Sequence, residues 1–113
     1  MLKIYHNPRC SKSRQTLQLI EEAGQSVEIV EYLKTPLSES DIKQLLTLLA
    51  IKPIEMMRTK EAEFKEQNLK TADDDTLIQA MVNTPKLIER PIVTSEDKAV
   101  IGRPPENVLS LWQ

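Results

Sequence analysis

His6-Asn7-Pro8-Arg9-Cys10-Ser11-Lys12-Ser13-Arg14 carries the only cysteine of the chain, and the reading of the fold starts there. The apolar segment before it, Leu2-Lys3-Ile4-Tyr5, reads as a strand. The segment after it, Thr16-Leu17-Gln18-Leu19-Ile20-Glu21-Glu22-Ala23, reads as a helix that ends at Gly24. Cys10 therefore falls at a strand-to-helix turn, at the N-terminal end of the helix. The first backbone N–H groups of a helix have no partner within it, and its dipole places partial positive charge at that end. A thiolate or a bound oxyanion is stabilised there. Arg9, Lys12 and Arg14 add three cations within four residues of the sulfur, and His6 adds a fourth or a hydrogen bond. The expectation is a thiol with a depressed pKa. The competing reading, a small buried hydrophobe, sits badly with so many nearby cations.

Downstream, Val27-Glu28-Ile29-Val30-Glu31-Tyr32 partly alternates and is rich in β-branched residues, so it reads as a second strand. A strand, helix and strand this close together form a βαβ unit with parallel strands and a right-handed crossover. Pro36 breaks the pattern. Ser38 then reads as an N-cap with Asp41 as its partner, and Ile42, Leu45, Leu46 and Leu49 recur at helical spacing. Pro53 opens the short apolar piece Ile54-Glu55-Met56-Met57-Arg58, and the charged stretch from Lys60 to Lys70 reads as a short solvated helix with Glu61 and Lys65 one turn apart. Asp73, Asp74 and Asp75 precede Leu77, Ile78, Met81 and Val82 at helical spacing, so capping explains them better than a metal.

Two β-rich runs follow, Ile88 to Thr94 and Ala99 to Gly102, around the polar turn Ser95-Glu96-Asp97-Lys98; they read as an antiparallel hairpin. Pro104 and Pro105 pre-set a last helix whose apolar face is Val108, Leu111 and Trp112. The order is βαβ, a helical block, then ββα. Residues 1–113 read as one α/β domain with a helical insertion over approximately residues 38–86.

Composition narrows the function classes. Formal net charge is -2 and the pI about 5.5, so no overall basic field invites nucleic acid, and any anion site must be local. One cysteine excludes an internal disulfide and a cysteine-based zinc site, and one histidine excludes a His-rich metal site. There is no apolar run long enough to span a membrane and no secretory pattern at the N-terminus, so a cytoplasmic protein with no membrane partner is expected. A monomer is expected.

A four-stranded mixed sheet from βαβ and ββα halves, with a cysteine at the first strand-to-helix turn and Pro91 at the start of the third strand, resembles the thioredoxin fold. Pro91 would match that fold's cis-proline. Arg58, Arg90 and Arg103 each lie at a break between elements. With His6-Asn7-Pro8-Arg9-Cys10 and Ser13-Arg14, they make the chain similar to the glutaredoxin-coupled arsenate reductase family from Ile4 to Leu109. That family carries His-Asn-Pro-X-Cys, a Ser-Arg pair and three separated arginines. The well-studied members have Gly-Thr after the cysteine where this chain has Ser11-Lys12, which leaves the oxyanion open.

The resemblance implies that Cys10 attacks arsenate to form a covalent thiol-arsenate adduct. It also implies that Arg58, Arg90 and Arg103 hold the oxyanion, and that His6, Ser13 and Arg14 tune the thiolate. Glutathione is implied as co-substrate and glutaredoxin as protein partner, with no bound cofactor. With no second cysteine, an external thiol must resolve any adduct on Cys10.

Other readings stay open. A cysteine-dependent phosphatase would place an arginine six residues after the cysteine, where this chain has Thr16. An Spx-type regulator that binds RNA polymerase shares the fold, but Ser13 removes the second cysteine of its Cys-x-x-Cys switch. A glutathione-linked monothiol reductase acting on another substrate uses the same residues.

Overall fold

The computed structural model describes residues 1–113. They divide into two compact units: Met1–Thr35 together with Arg90–Gln113, and Pro36–Glu89. The stretch expected as a helical insertion lies inside the second unit.

The first unit is built on a four-stranded sheet in the order β2-β1-β3-β4, with β1 at Leu2–Tyr5, β2 at Val27–Val30, β3 at Ile92–Thr94 and β4 at Ala99–Ile101. β1 runs parallel to β2, Ile4 opposite Ile29, and antiparallel to β3, Ile4 opposite Val93. β3 pairs antiparallel with β4 through the expected hairpin. This is the mixed, thioredoxin-like sheet that the βαβ–ββα order predicts. The alternation along β1 buries Leu2 and Ile4 on one face, where they meet Ile20, Val93 and Val108 in the core of this unit. Edge strand β2 is only half-buried at Val27 and Val30 and leaves Ile29 exposed.

Helix α1 spans Ser11–Glu22, so it begins directly after Cys10 rather than at Thr16. Its C-terminus closes where the sequence places it. Ala23 is the C-cap, Gly24 takes φ 70°, and the N–H groups of Gly24 and Gln25 donate to the carbonyls of Glu21 and Ile20. A glycine enters that left-handed conformation without the Cβ penalty, and the paired bonds satisfy carbonyls the helix leaves open. The last segment, Pro105–Leu111, is a 3-10 helix rather than the expected α-helix. Tandem prolines remove two amide donors where an α-helix would start, and the segment is short enough for the tighter winding.

In the second unit, α2 spans Glu39–Leu49 behind the expected Ser38/Asp41 capping box, with Ile42, Leu45 and Leu46 buried. Helix α4, Asp74–Asn83, packs against α2 and is capped by Asp73, whose side chain accepts from the Thr76 N–H. Such caps contribute about 1 kcal/mol each. The 60–70 stretch differs from its sequence reading. Its α-helix, α3, covers only Ala62–Glu66, followed by a 3-10 turn at Leu69–Thr71, and Phe64 and Leu69 are buried. Glu61 stands outside that helix and pairs with Arg58 and Lys86, not with Lys65. Ile88, expected in the hairpin, bridges to Met57 instead, and β3 starts only after Pro91.

One close approach fixes the first unit around the cysteine loop. A Cβ on Gly102 would lie 2.6 Å from Thr16 Oγ1 and 2.8 Å from Pro91 Cγ. Thr16 is fully buried in α1 and Pro91 is a ring, so neither can swing aside. Gly102→Ala is therefore expected to destabilise the fold by about 1–3 kcal/mol, the usual cost of overpacking. A urea titration that gives the substituted protein the wild-type midpoint would contradict this packing.

Candidate active site

The cysteine loop is tied by its own backbone and side chains. The Cys10 N–H donates to the Asn7 carbonyl at 3.0 Å, and Asn7 Oδ1 accepts from the Arg9 N–H at 3.0 Å. Such side-chain turns are what Asn offers a loop. The Arg14 N–H donates to the Cys10 carbonyl at 3.0 Å, which makes Cys10 the N-cap of α1 with an extended backbone. The sulfur thus sits at the open end of a twelve-residue helix.

Burial by itself pushes the half-buried Cys10 thiol up, but it is outweighed. The amides of Ser13 and Lys12 and the guanidinium groups of Arg90 and Arg103 bring the pKa below the ordinary thiol value. Arg103 Nη1 lies 3.9 Å from Cys10 Sγ and also donates to the Arg90 carbonyl at 3.3 Å. The cations that bear on the sulfur are therefore Arg90 and Arg103, brought in from the far end of the chain. Arg14, adjacent in sequence, turns away and donates to the Pro8 carbonyl at 2.9 Å.

His6 and Ser13 form a pair beside the thiol. His6 Nδ1 and Ser13 Oγ are hydrogen-bonded at 2.6 Å, and Ser13 Oγ also accepts from the Asn7 N–H at 3.1 Å. Both residues are buried. Desolvation lowers the His6 pKa; Glu31 and Glu21 oppose that shift and Arg14 adds to it. The imidazole is therefore neutral at neutral pH, and it meets Ser13 rather than the sulfur. The Arg90–Pro91 and Arg103–Pro104 peptides are both cis. Pro91 is buried, and its carbonyl accepts the Gly102 N–H at 2.9 Å.

The structure thus gathers Cys10, His6, Ser13, Arg90, Pro91 and Arg103 in the first unit. Arg58 belongs to the second unit, where its guanidinium pairs with Glu61 and Nη1 contacts the Lys86 carbonyl at 3.5 Å. Lys86 links the same Glu61 to Glu63. Sequence reasoning missed two residues around the site: Thr16, whose Oγ1 donates to the Lys12 carbonyl at 2.8 Å, and Asn107, whose Nδ2 donates to the Arg103 carbonyl at 3.2 Å. Thr16 carried a signal, a β-branched hydroxyl at the first residue of the expected helix. The site contains no cluster of His, Cys, Asp or Glu that could hold a metal, and no helix is long and apolar enough to cross a membrane.

Set beside known proteins, residues 5–111 match the ArsC family. The chain is 52% identical to the YfgD protein of Escherichia coli, over 97% of this chain and 95% of the relative. It is 46% identical to an arsenate reductase of Neisseria meningitidis, over 95% of this chain and 94% of the relative. The solved structure of an arsenate reductase from Vibrio cholerae superposes with a TM-score of 0.93 at 47% identity, over 96% of this chain and 95% of that one. Sheet order, the placement of Cys10 and these matches agree: the chain belongs to the ArsC family.

Proposed function

We propose that this protein reduces arsenate to arsenite through Cys10, with glutathione and glutaredoxin as external reductants. The observation that carries the reading is the thiol itself: a half-buried sulfur at a helix N-terminus, its pKa lowered, with Arg103 at 3.9 Å and Arg90 beside it. A nucleophile and its anion clamp are then within reach of one tetrahedral oxyanion. The names of the Neisseria and Vibrio relatives support arsenate as that anion.

In the proposed sequence, guanidinium forks hold arsenate by its oxygens in bidentate geometry. The Cys10 thiolate attacks arsenic, an As–O bond breaks, and the oxygen leaves as hydroxide, which takes a proton from solvent to become water, giving the thiol-arsenate adduct. Arg90 and Arg103 offset the charge that develops on the oxygens. Glutathione then enters as a second thiol, and glutaredoxin completes the reduction. Arsenic gains two electrons as two thiols become a disulfide, and arsenite departs. The lone cysteine requires this outside thiol. Ser13 and His6 act on Cys10 through the loop: Ser13 Oγ holds the Asn7 amide, and the Ser13 amide faces the sulfur. Arg14 props the Pro8 carbonyl of the same loop. Arg58 enters the proposal through the sequence motif alone.

Arsenate-dependent NADPH oxidation, coupled through glutathione, glutaredoxin and glutathione reductase, tests the reading. The wild type should turn over and Cys10→Ser should not. Arg90→Ala and Arg103→Ala should each lose roughly tenfold to a hundredfold in kcat/KM, the worth of one hydrogen bond to a charged group. No wild-type rate above background would remove the arsenate assignment.

The pH dependence follows from the direction of the shift. A depressed thiol pKa keeps the thiolate present at lower pH than a free thiol does and loses it as pH falls through the lowered value. The iodoacetamide alkylation rate of Cys10 should thus show a midpoint below that of a free thiol, and a midpoint at the free-thiol position would contradict the site. For His6 the shift has the same sign in protons, since its pKa too is lowered in the folded state. The folded state resists protonation that the unfolded chain accepts near pH 6.5, so stability should fall as pH drops through that value. This component of the thermal denaturation profile should be absent in His6→Gln.

A further inference from the structure

We propose that Asn107 is a positioning residue that aims Arg103 at Cys10. Arg103 lies in the turn Ile101-Gly102-Arg103-Pro104-Pro105, whose two prolines contribute carbonyls but no N–H donors. The turn therefore has more acceptors than its own backbone can satisfy. The Arg103 N–H takes the Ile101 carbonyl at 2.9 Å, and Asn107 supplies the donor that the Arg103 carbonyl lacks together with a second bond at Ile101. Its Nδ2 donates to the Ile101 carbonyl at 3.2 Å and to the Arg103 carbonyl at 3.2 Å, using both protons of one amide group.

The backbone of Asn107 is itself held. Its main-chain N–H donates to the Pro104 carbonyl at 3.0 Å, and its main-chain carbonyl accepts from Ser110 Oγ at 3.0 Å. From the opposite side, Thr16 Oγ1 reaches the intervening Gly102 carbonyl at 3.4 Å, and the Gly102 N–H is taken by Pro91. Three consecutive carbonyls around Arg103 are thus met by two side chains. The guanidinium by contrast is exposed and makes its two polar contacts only at the tip, with Cys10 Sγ at 3.9 Å and the Arg90 carbonyl at 3.3 Å. A long side chain with that much rotamer freedom reaches a fixed point reliably only if its Cα is fixed. Asn107 is exposed and its amide bonds the Arg103 carbonyl rather than Cys10 or the guanidinium, so its effect on the thiol runs through the backbone of Arg103.

The test is the pH profile of Cys10 alkylation by iodoacetamide, in the full chain. It needs no substrate, so it stands or falls separately from the arsenate assignment. Asn107→Ala removes both donors and is favourable in a helix; Asn107→Asp keeps the shape, removes the donors, and suits the first turns of a helix. Either variant tests the idea if the other fails to fold. Both should raise the midpoint in the direction that Arg103→Ala raises it, and lower the rate below the midpoint by about threefold. In an Arg103→Ala background, Asn107→Ala should shift the midpoint no further. The proposal is overturned if the Asn107 variants keep the wild-type midpoint, if they shift it equally with and without Arg103, or if Arg103→Ala itself leaves it unmoved.

Discussion

The contact on which the first unit depends is the approach of Gly102 to Thr16 and Pro91. It joins three stretches far apart in sequence: the first turns of α1, the cis-proline that opens β3, and the exit from β4. No side chain fits between them, so only glycine allows the β4 exit to lie against the helix. Arg103 follows one residue later and Arg90 precedes Pro91 by one. The two guanidinium groups are consequently delivered to the sulfur by the same packing that closes the sheet. A sub-ångström adjustment here would be felt at the thiol, because packed interiors transmit displacement rather than absorb it.

Opposing influences meet at the thiol. Burial works against the thiolate, and the helix amides and two guanidinium groups work for it, with the latter prevailing. The chain as a whole is slightly acidic, so this field is local. Contacts within about 4 Å lie inside the screening length of physiological salt, so they persist where a diffuse surface field would fade.

Much of this was legible in the sequence because it depends on local rules. The switch from alternating to helical periodicity across residues 6–14 places Cys10 at a helix start, and Gly24, Ser38 with Asp41, and Asp73 mark helix ends by capping chemistry. What was not legible depends on tertiary approach. Arg14 looked closer to the sulfur than Arg103, yet the chain direction at the Pro8 loop sends Arg14 to a carbonyl and the hairpin returns Arg103. Phe64 and Leu69 made a charged stretch into a half-buried one, since two large apolar residues outweigh the surface charges in deciding which side faces in. Asn107 gave no sequence signal at all, because its partners are the carbonyls of a turn whose shape two prolines determine.

Ser13 decides what kind of thiol chemistry the site can perform. It stands three residues after Cys10, where a dithiol protein would carry the second cysteine of Cys-x-x-Cys. Its hydroxyl is fully buried and committed on two sides, to the Asn7 amide and to His6. A thiol there is a far weaker hydrogen-bonding group, so it would leave the amide and the imidazole without a good partner. The loop that presents Cys10 is thus held by a group that cannot form a disulfide. The same serine that orders the loop leaves Cys10 without an internal thiol to pair with.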